Sequence, residues 1–316
     1  MRPMRLTSAL TTLLAYATLA LAVGPTGKIK NLVTFGDSYT DVFQTGDGGT
    51  AWPVYAAGYG NYSLFPYAKA GATCSNNLTF APFSSVAEGQ VPLYLQQVNN
   101  GSVKVAPQET VYTLWVGTND VGANTILTGQ QAPGVTVVDT TECAVNWIST
   151  LYKSGARNFI FQNMIPLERT ILYAPNSYPN GYWDLERNTT EWSLTMKELT
   201  TSGNALAKLM IQDVVPTLKG AHVGLFDSHA LFTDMIANPG NYLNGTAPLN
   251  VTGAAATCVR ELNTGAVITC NSAQGSDRDS YLWWDEVHPS EQADRVVARE
   301  IVASINRKSK WITWFS

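Results

Sequence analysis

The sequence predicts an α/β fold in which a central, mostly parallel sheet carries helices on both faces, giving three layers. Two observations carry that expectation. Short apolar, β-leaning runs recur at residues 30–35, 110–116, 158–162 and 222–226, and stretches of helical character separate them. Strands buried on both faces read as continuous apolar runs, and parallel neighbours need helical crossovers between them. No internal repeat or low-complexity segment competes with this reading.

In chain order, the run at 30–35 gives a first strand, followed by Gly36-Asp37-Ser38. There Gly36 permits a tight turn and Asp37-Ser38 can open a helix. The run at 110–116 gives a second strand that ends in Gly117-Thr118-Asn119-Asp120, a turn-forming set. Residues 139–153 carry apolar positions at helical spacing and stop at Ser154-Gly155. Strands follow at 158–162 and 222–226, with a helical stretch at 183–213 that Asn188-Thr189-Thr190 interrupts. Residues 238–274, rich in Gly and Asn and holding two cysteines, form an expected surface insertion. Residues 291–305 make a last helix, opened by an acid and followed by Arg307 and Lys308. The aromatic end at 311–315 is too short to span a bilayer and is expected to dock on the body.

Residues 1–22 have the pattern of an export leader: Arg2 and Arg5, an apolar run, then Ala20-Leu21-Ala22. The remainder, 23–316, is expected to form one domain, secreted and monomeric. The chain holds 20 basic and 24 acidic residues, and loss of Arg2 and Arg5 takes its net charge from −4 to −6. Without a basic run, that balance excludes nucleic acid and stable association with anionic membranes. Four cysteines in an exported chain suggest two disulfides with three possible connectivities. The short loop favours Cys258 with Cys270, which leaves Cys74 with Cys143. Six N-x-S/T sequons, at Asn61, Asn77, Asn100, Asn188, Asn244 and Asn250, mark stretches expected at the surface and glycosylated.

The chemistry-bearing residues stand at strand ends. Ser38 follows the first strand, and Asp285 and His288 stand three apart near the other end of a chain that holds only three histidines. A serine hydroxyl that attacks, an imidazole that takes its proton and a carboxylate that orients the imidazole are the parts of an acyl-transfer relay. Pro289 keeps His288 extended. The oxyanion formed on attack needs preset donors, which Asn119 can supply by its side chain and a glycine amide, with Ala70-Gly71-Ala72 a plausible source, by its backbone. In open α/β sheets ligands bind beyond the strands' carboxyl ends, where strand order reverses, so Ser38 falls on the correct edge.

Taken together, Phe35-Gly36-Asp37-Ser38, Gly71, Gly117-Thr118-Asn119-Asp120 and Asp285-Glu286-Val287-His288 resemble the four ordered blocks of the GDSL/SGNH hydrolase family. The resemblance implies a flavodoxin-like α/β/α sandwich. It also implies that Ser38 is nucleophile and first oxyanion donor, that Gly71 and Asn119 are the other donors, and that His288 is base with Asp285 its partner. Tyr39 stands where the family usually has Leu, which leaves the mechanism intact. That Tyr, with Trp52-Pro53 and Trp283-Trp284, is similar to the secreted fungal acetylesterases of carbohydrate esterase family 16. The implied substrates are short acyl esters, notably acetylated plant-cell-wall oligosaccharides, with no metal or organic cofactor.

Alternatives are a lipase or phospholipase on longer acyl chains, a carbohydrate-binding protein that has lost catalysis, and a metal-dependent deacetylase. Gly46-Asp47-Gly48-Gly49-Thr50-Ala51 loosely matches a dinucleotide-binding loop but no strand directly precedes it, and no G-x-S-x-G elbow is present. His222 and His229 lack partners at metal-ligand spacing. Asp41 and Asp120 read as turn braces. Trp52, Trp283 and Trp284 read either as core or as a wall on which a sugar ring stacks.

Overall fold

A computed structural model of the chain describes residues 24–25 and 27–316; the expected leader at 1–22 lies outside them. Six strands form the central sheet: β1 (Asn31–Gly36), β2 (Ser63–Pro66), β3 (Thr110–Trp115), β4 (Asn158–Gln162), β5 (His222–Phe226) and the late-coming edge strand Ile312–Phe315. The first five run parallel in the order β2-β1-β3-β4-β5, the flavodoxin-like order. The aromatic tail docks as the last strand, antiparallel on β5 with Ile312 opposite Phe226 and Phe315 opposite Val223.

Among the described residues seven helices complete the frame: α1 (Trp52–Gly60), α2 (Val91–Asn99), α3 (Thr118–Val121), α4 (Val137–Lys153), α5 (Thr189–Val214), α6 (Ser228–Ala237) and α7 (Glu291–Ile305). The period-2 geometry of the strands sorts their side chains into two cores. Leu32, Val111, Ile160 and Phe226 pack with α1, α6 and α7 on one face. Val33, Phe35, Tyr112, Leu114, Phe159, Phe161, Val223 and Leu225 pack with α2, α4 and α5 on the other. Burial of alternate residues on opposite sides is what makes each strand apolar along its whole length. The result is the expected α/β/α sandwich.

Local chemistry sets the helix starts. Thr136 and Asp139 form a capping box at α4, while Asn188, Asp227 and Ser290 accept from the first turns of α5, α6 and α7. Two expectations need correction here. The helical stretch expected from 183 begins only at Thr189, because Asn188 is its cap rather than an interruption. The helix expected to open at Asp37-Ser38 is a single turn: Thr40 and Asp41 donate to the Asp37 carbonyl at 3.0 Å. The Asp41 carboxylate takes the amides of Phe43 and Ala70 instead of letting the helix continue.

The segment expected as an insertion contains β6 (Asn250–Ala254), β7 (Ala256–Arg260) and β8 (Val267–Ser272). Strands β7 and β8 form an antiparallel hairpin closed by the Cys258–Cys270 disulfide, but β6 pairs parallel with β9 (Tyr281–Trp283), which leads into Asp285. The edge strand Ile312–Phe315 is β10. The other disulfide joins Cys74 to Cys143, tying the loop after β2 to α4. Five of the six sequon asparagines are exposed, while Asn250 is half-buried.

Replacing Cys74 and Cys143 together by Ser is expected to lower stability by about 4 kcal/mol, the chain-entropy value for a loop of this length. Urea unfolding monitored by tryptophan fluorescence checks this; a loss below about 1 kcal/mol would show that the bridge constrains the unfolded chain little.

Candidate active site

The chain passes from β1 out to β2 and then crosses back to β3 on the other side of β1, so strand order reverses between β1 and β3. Their carboxyl ends lie side by side, Gly36 opposite Trp115, and the Asp37 amide donates to the Trp115 carbonyl at 3.2 Å. Ser38 and Asn119 therefore open onto one crevice, as ligand-binding residues at a switch point do.

His288 arrives from the far side, in the loop between β9 and α7. Asp285 Oδ1 accepts the backbone amides of Val287 at 2.9 Å and His288 at 2.8 Å, and Trp284 donates to the His288 carbonyl at 2.8 Å. The carboxylate thus folds its own loop before it serves anything else. His288 Nδ1 lies 3.0 Å from both Asp285 oxygens, and Nε2 lies 2.8 Å from Ser38 Oγ. The bond from Tyr39 Oη to the Val287 carbonyl, 2.7 Å, joins the serine turn to the histidine loop, and the Tyr39 ring meets the imidazole edge-on. Tyr39 is thus buried packing that also carries a bond the sequence did not signal.

Gly71 and Asn119 line the same cleft as Ser38. Neither the Ser38 amide nor the Gly71 amide has a protein acceptor among the described residues. Gly71 holds φ of 76°, a conformation that favours glycine, and a Cβ there would push on the exposed Phe83 ring. Asn119 spends one amide hydrogen on the Ala72 carbonyl at 2.9 Å, which fixes the group and leaves the second hydrogen free. The two aspartates read as braces hold this corner: Asp120 accepts from the Cys74 amide and the Thr79 hydroxyl, and Asp41 from Ala70.

All five residues singled out in the sequence meet in one cleft of about 700 Å³. Of its aromatic walls the sequence flags only Trp284. One is aromatic and exposed, Phe80 and Phe83; the other is Tyr182 and Trp284, with Leu172 and Tyr173 at the floor. Trp52 and Trp283 are core, and only Trp284 of the three tryptophans faces the cleft. The glycine-rich stretch at 46–49 covers the histidine loop, and a Cβ on Gly46 would overlap the His288 ring. Those glycines allow the segment its close approach to His288, Trp284 and Glu291.

A switch-point sheet that presents a hydrogen-bonded Ser, His and Asp in line beside free backbone donors defines an ester hydrolase of the SGNH type. The family model described as GDSL-like Lipase/Acylhydrolase matches residues 32–301, and the chain belongs to that family of ester-hydrolysing enzymes. It is similar to an acetylesterase of Hypocrea jecorina, 31% identical over 92% of this chain and 93% of that one. A GDSL esterase/lipase of Arabidopsis thaliana is 25% identical over 88% of this chain and 79% of its own. An acetylxylan esterase from Geobacillus stearothermophilus superposes with a TM-score of 0.40 at 15% identity, covering 89% of this chain and 96% of that one.

The site is rich in buried carboxyls. Burial pushes Asp37 up to about 7, against the Tyr39 amide and His288, and pushes Asp120 up to about 6 against its hydrogen bonds. Burial also works to raise Asp285, but the His288 charge and the donors around it hold it below its usual value. For His288 burial lowers the pKa, and the charge and hydrogen bond of Asp285, with Asp37 and Asp47, overcome that and leave it raised. A carboxyl whose folded pKa exceeds its unfolded one stabilises the fold below the unfolded value and loses that stability as pH rises through the folded value. Asp37 and Asp120 therefore make thermal stability fall as pH rises from about 4 to about 7. Asp120→Asn is expected to lack the part of this fall that lies between about 4 and about 6; scanning calorimetry across pH checks it, and an unchanged curve would clear Asp120.

Proposed function

We propose that this protein is a secreted serine acetylesterase that works through an acyl-enzyme and removes acetyl groups from carbohydrate esters. The observation that carries the mechanism is the 2.8 Å approach of Ser38 Oγ to His288 Nε2, with Nδ1 on Asp285. Ser38 attacks the acyl carbon as its proton passes to His288, and Asp285 stabilises the imidazolium. The carbonyl electron pair moves onto oxygen, held by the amides of Ser38 and Gly71 and the side chain of Asn119. Collapse expels the alcohol, which takes the proton from His288. Water then loses a proton to His288, attacks the acyl-enzyme and releases the acid, and Ser38 recovers its proton. This route runs on side chains and backbone donors, with no metal or cofactor assigned a step.

The acetyl preference is supported by the Hypocrea jecorina acetylesterase, and the carbohydrate alcohol by Tyr182 and Trp284, whose rings offer a face for a sugar. Export is supported by the two disulfides, since such bonds persist in oxidising compartments. A second reading, a lipase-type acylhydrolase, is favoured by the exposed Phe80 and Phe83 at the cleft mouth, 70% and 48% accessible.

Ser38→Ala is expected to abolish hydrolysis of p-nitrophenyl acetate, and Asp285→Asn to cut kcat by about 10³-fold or more. Retained turnover in Ser38→Ala would sink the assignment. Across acetyl, butyryl and octanoyl esters, kcat/KM is expected to fall with length; a rise would favour the lipase reading. Acetylated xylo-oligosaccharides then test the carbohydrate alcohol.

A further inference from the structure

Tyr182 stands 103 residues before Asp285, in an irregular loop, and its hydroxyl reaches both members of the acid–base pair. It donates to Asp285 Oδ2 at 2.6 Å and lies 3.0 Å from His288 Nδ1, with the two rings 5.8 Å apart. Asp285 Oδ1 is already committed to two backbone amides and the imidazole. Tyr182 therefore supplies the remaining donor, on the oxygen that no backbone amide of the histidine loop fixes.

The Tyr182 loop is itself held from outside. The Tyr182 amide donates to Asn180 Oδ1, while the β7–β8 hairpin contributes three bonds to the same loop. Arg260 donates from its backbone to Pro179 at 2.9 Å, Asn263 likewise to Asp184 at 2.8 Å, and Glu186 donates back to Asn263 Oδ1 at 3.2 Å. The hairpin is closed by Cys258–Cys270, and the Cys258 amide and the Tyr178 hydroxyl both bond Glu286, next to Asp285.

We propose that Tyr182 is a positioning residue for the proton relay, held over Asp285 by the disulfide-closed hairpin, so that the insertion carries part of the active site. The proposal rests on the Ser38–His288–Asp285 reading above. By holding Oδ2 the phenol keeps the carboxylate plane on the imidazole, and by drawing off part of its charge it limits how strongly Asp285 stabilises the imidazolium. Burial, then the Asp285 charge and the hydrogen bond to it, keep the Tyr182 phenol far above its usual range, so it stays a donor. The other ionisable groups near the imidazole are Asp37 from the turn after β1, Asp47 from the covering loop and Tyr39, whose ring meets it edge-on, while Glu286 and Tyr39 are near the phenol.

The test uses the full-length enzyme and p-nitrophenyl acetate across pH. Tyr182→Phe, which keeps the ring, is expected to lower kcat about tenfold or more with KM within about twofold, the loss expected for a hydrogen bond to a charged group. The acid limb of kcat/KM is expected to move to higher pH, because an Asp285 relieved of its donor holds the imidazolium more firmly. Asn263→Gly keeps the left-handed backbone at that position, φ of 64°, while removing the acceptor for Glu186. It is expected to move both quantities the same way by a smaller amount. A wild-type kcat and acid limb in Tyr182→Phe, or a change confined to KM, overturns the positioning role. A wild-type profile in Asn263→Gly overturns the hairpin's part. Either result beside an inactive Ser38→Ala leaves the relay standing, whereas an active Ser38→Ala removes the relay and this role with it.

Discussion

The hydrogen bond from the Tyr39 hydroxyl to the Val287 carbonyl spans 248 residues of sequence and ties the serine turn to the histidine loop. Ser38 is fixed by β1, a strand buried on both faces, and His288 by a loop that hangs from α7. Nothing in the sheet register sets the distance between them. Tyr39 links them directly, because it is covalently next to the serine and bonded one residue before the histidine. Its ring is wedged against Trp115 and the imidazole, so the bond forms in a dry, crowded place where a lost partner is costly. A leucine there can fill the space but cannot make the bond.

Much of the frame was legible in the sequence. Strands β1, β3, β4 and β5 lie within a residue or so of the runs that predict them, since a short apolar run between helical segments buries all its side chains best as a central strand. Elements such as β2, α1 and α2 left no such signal, for physical reasons. Strand β2 is four residues and ends in Pro66, too short to show a period. Helix α1 is apolar on most sides and holds Gly58 and Gly60, so no stripe marks it, and α2 has only two turns.

The site divides in the same way. Ser38, Gly71, Asn119, Asp285 and His288 sit in motifs whose spacing reflects strand ends, and motifs can be read. Tyr182 sits in Asn180-Gly181-Tyr182, a string that reads as a turn and nothing more. Its role depends on a loop trajectory set by Arg260 and Asn263, which no local pattern encodes. Phe80 and Phe83 were equally silent, because an exposed aromatic is ordinary until a cleft lies beneath it. The five motif residues meet in one cleft, while its walls, Trp284 apart, come from loops that the sequence did not single out.

The two borders of the sheet are both short. At one end β2 offers four residues closed by a proline; at the other, β10 offers four that run against the rest of the sheet. Neither leaves a long row of free amides and carbonyls onto which another molecule's strand can zip. Strand-by-strand addition to the central sheet is thereby disfavoured at both of its borders.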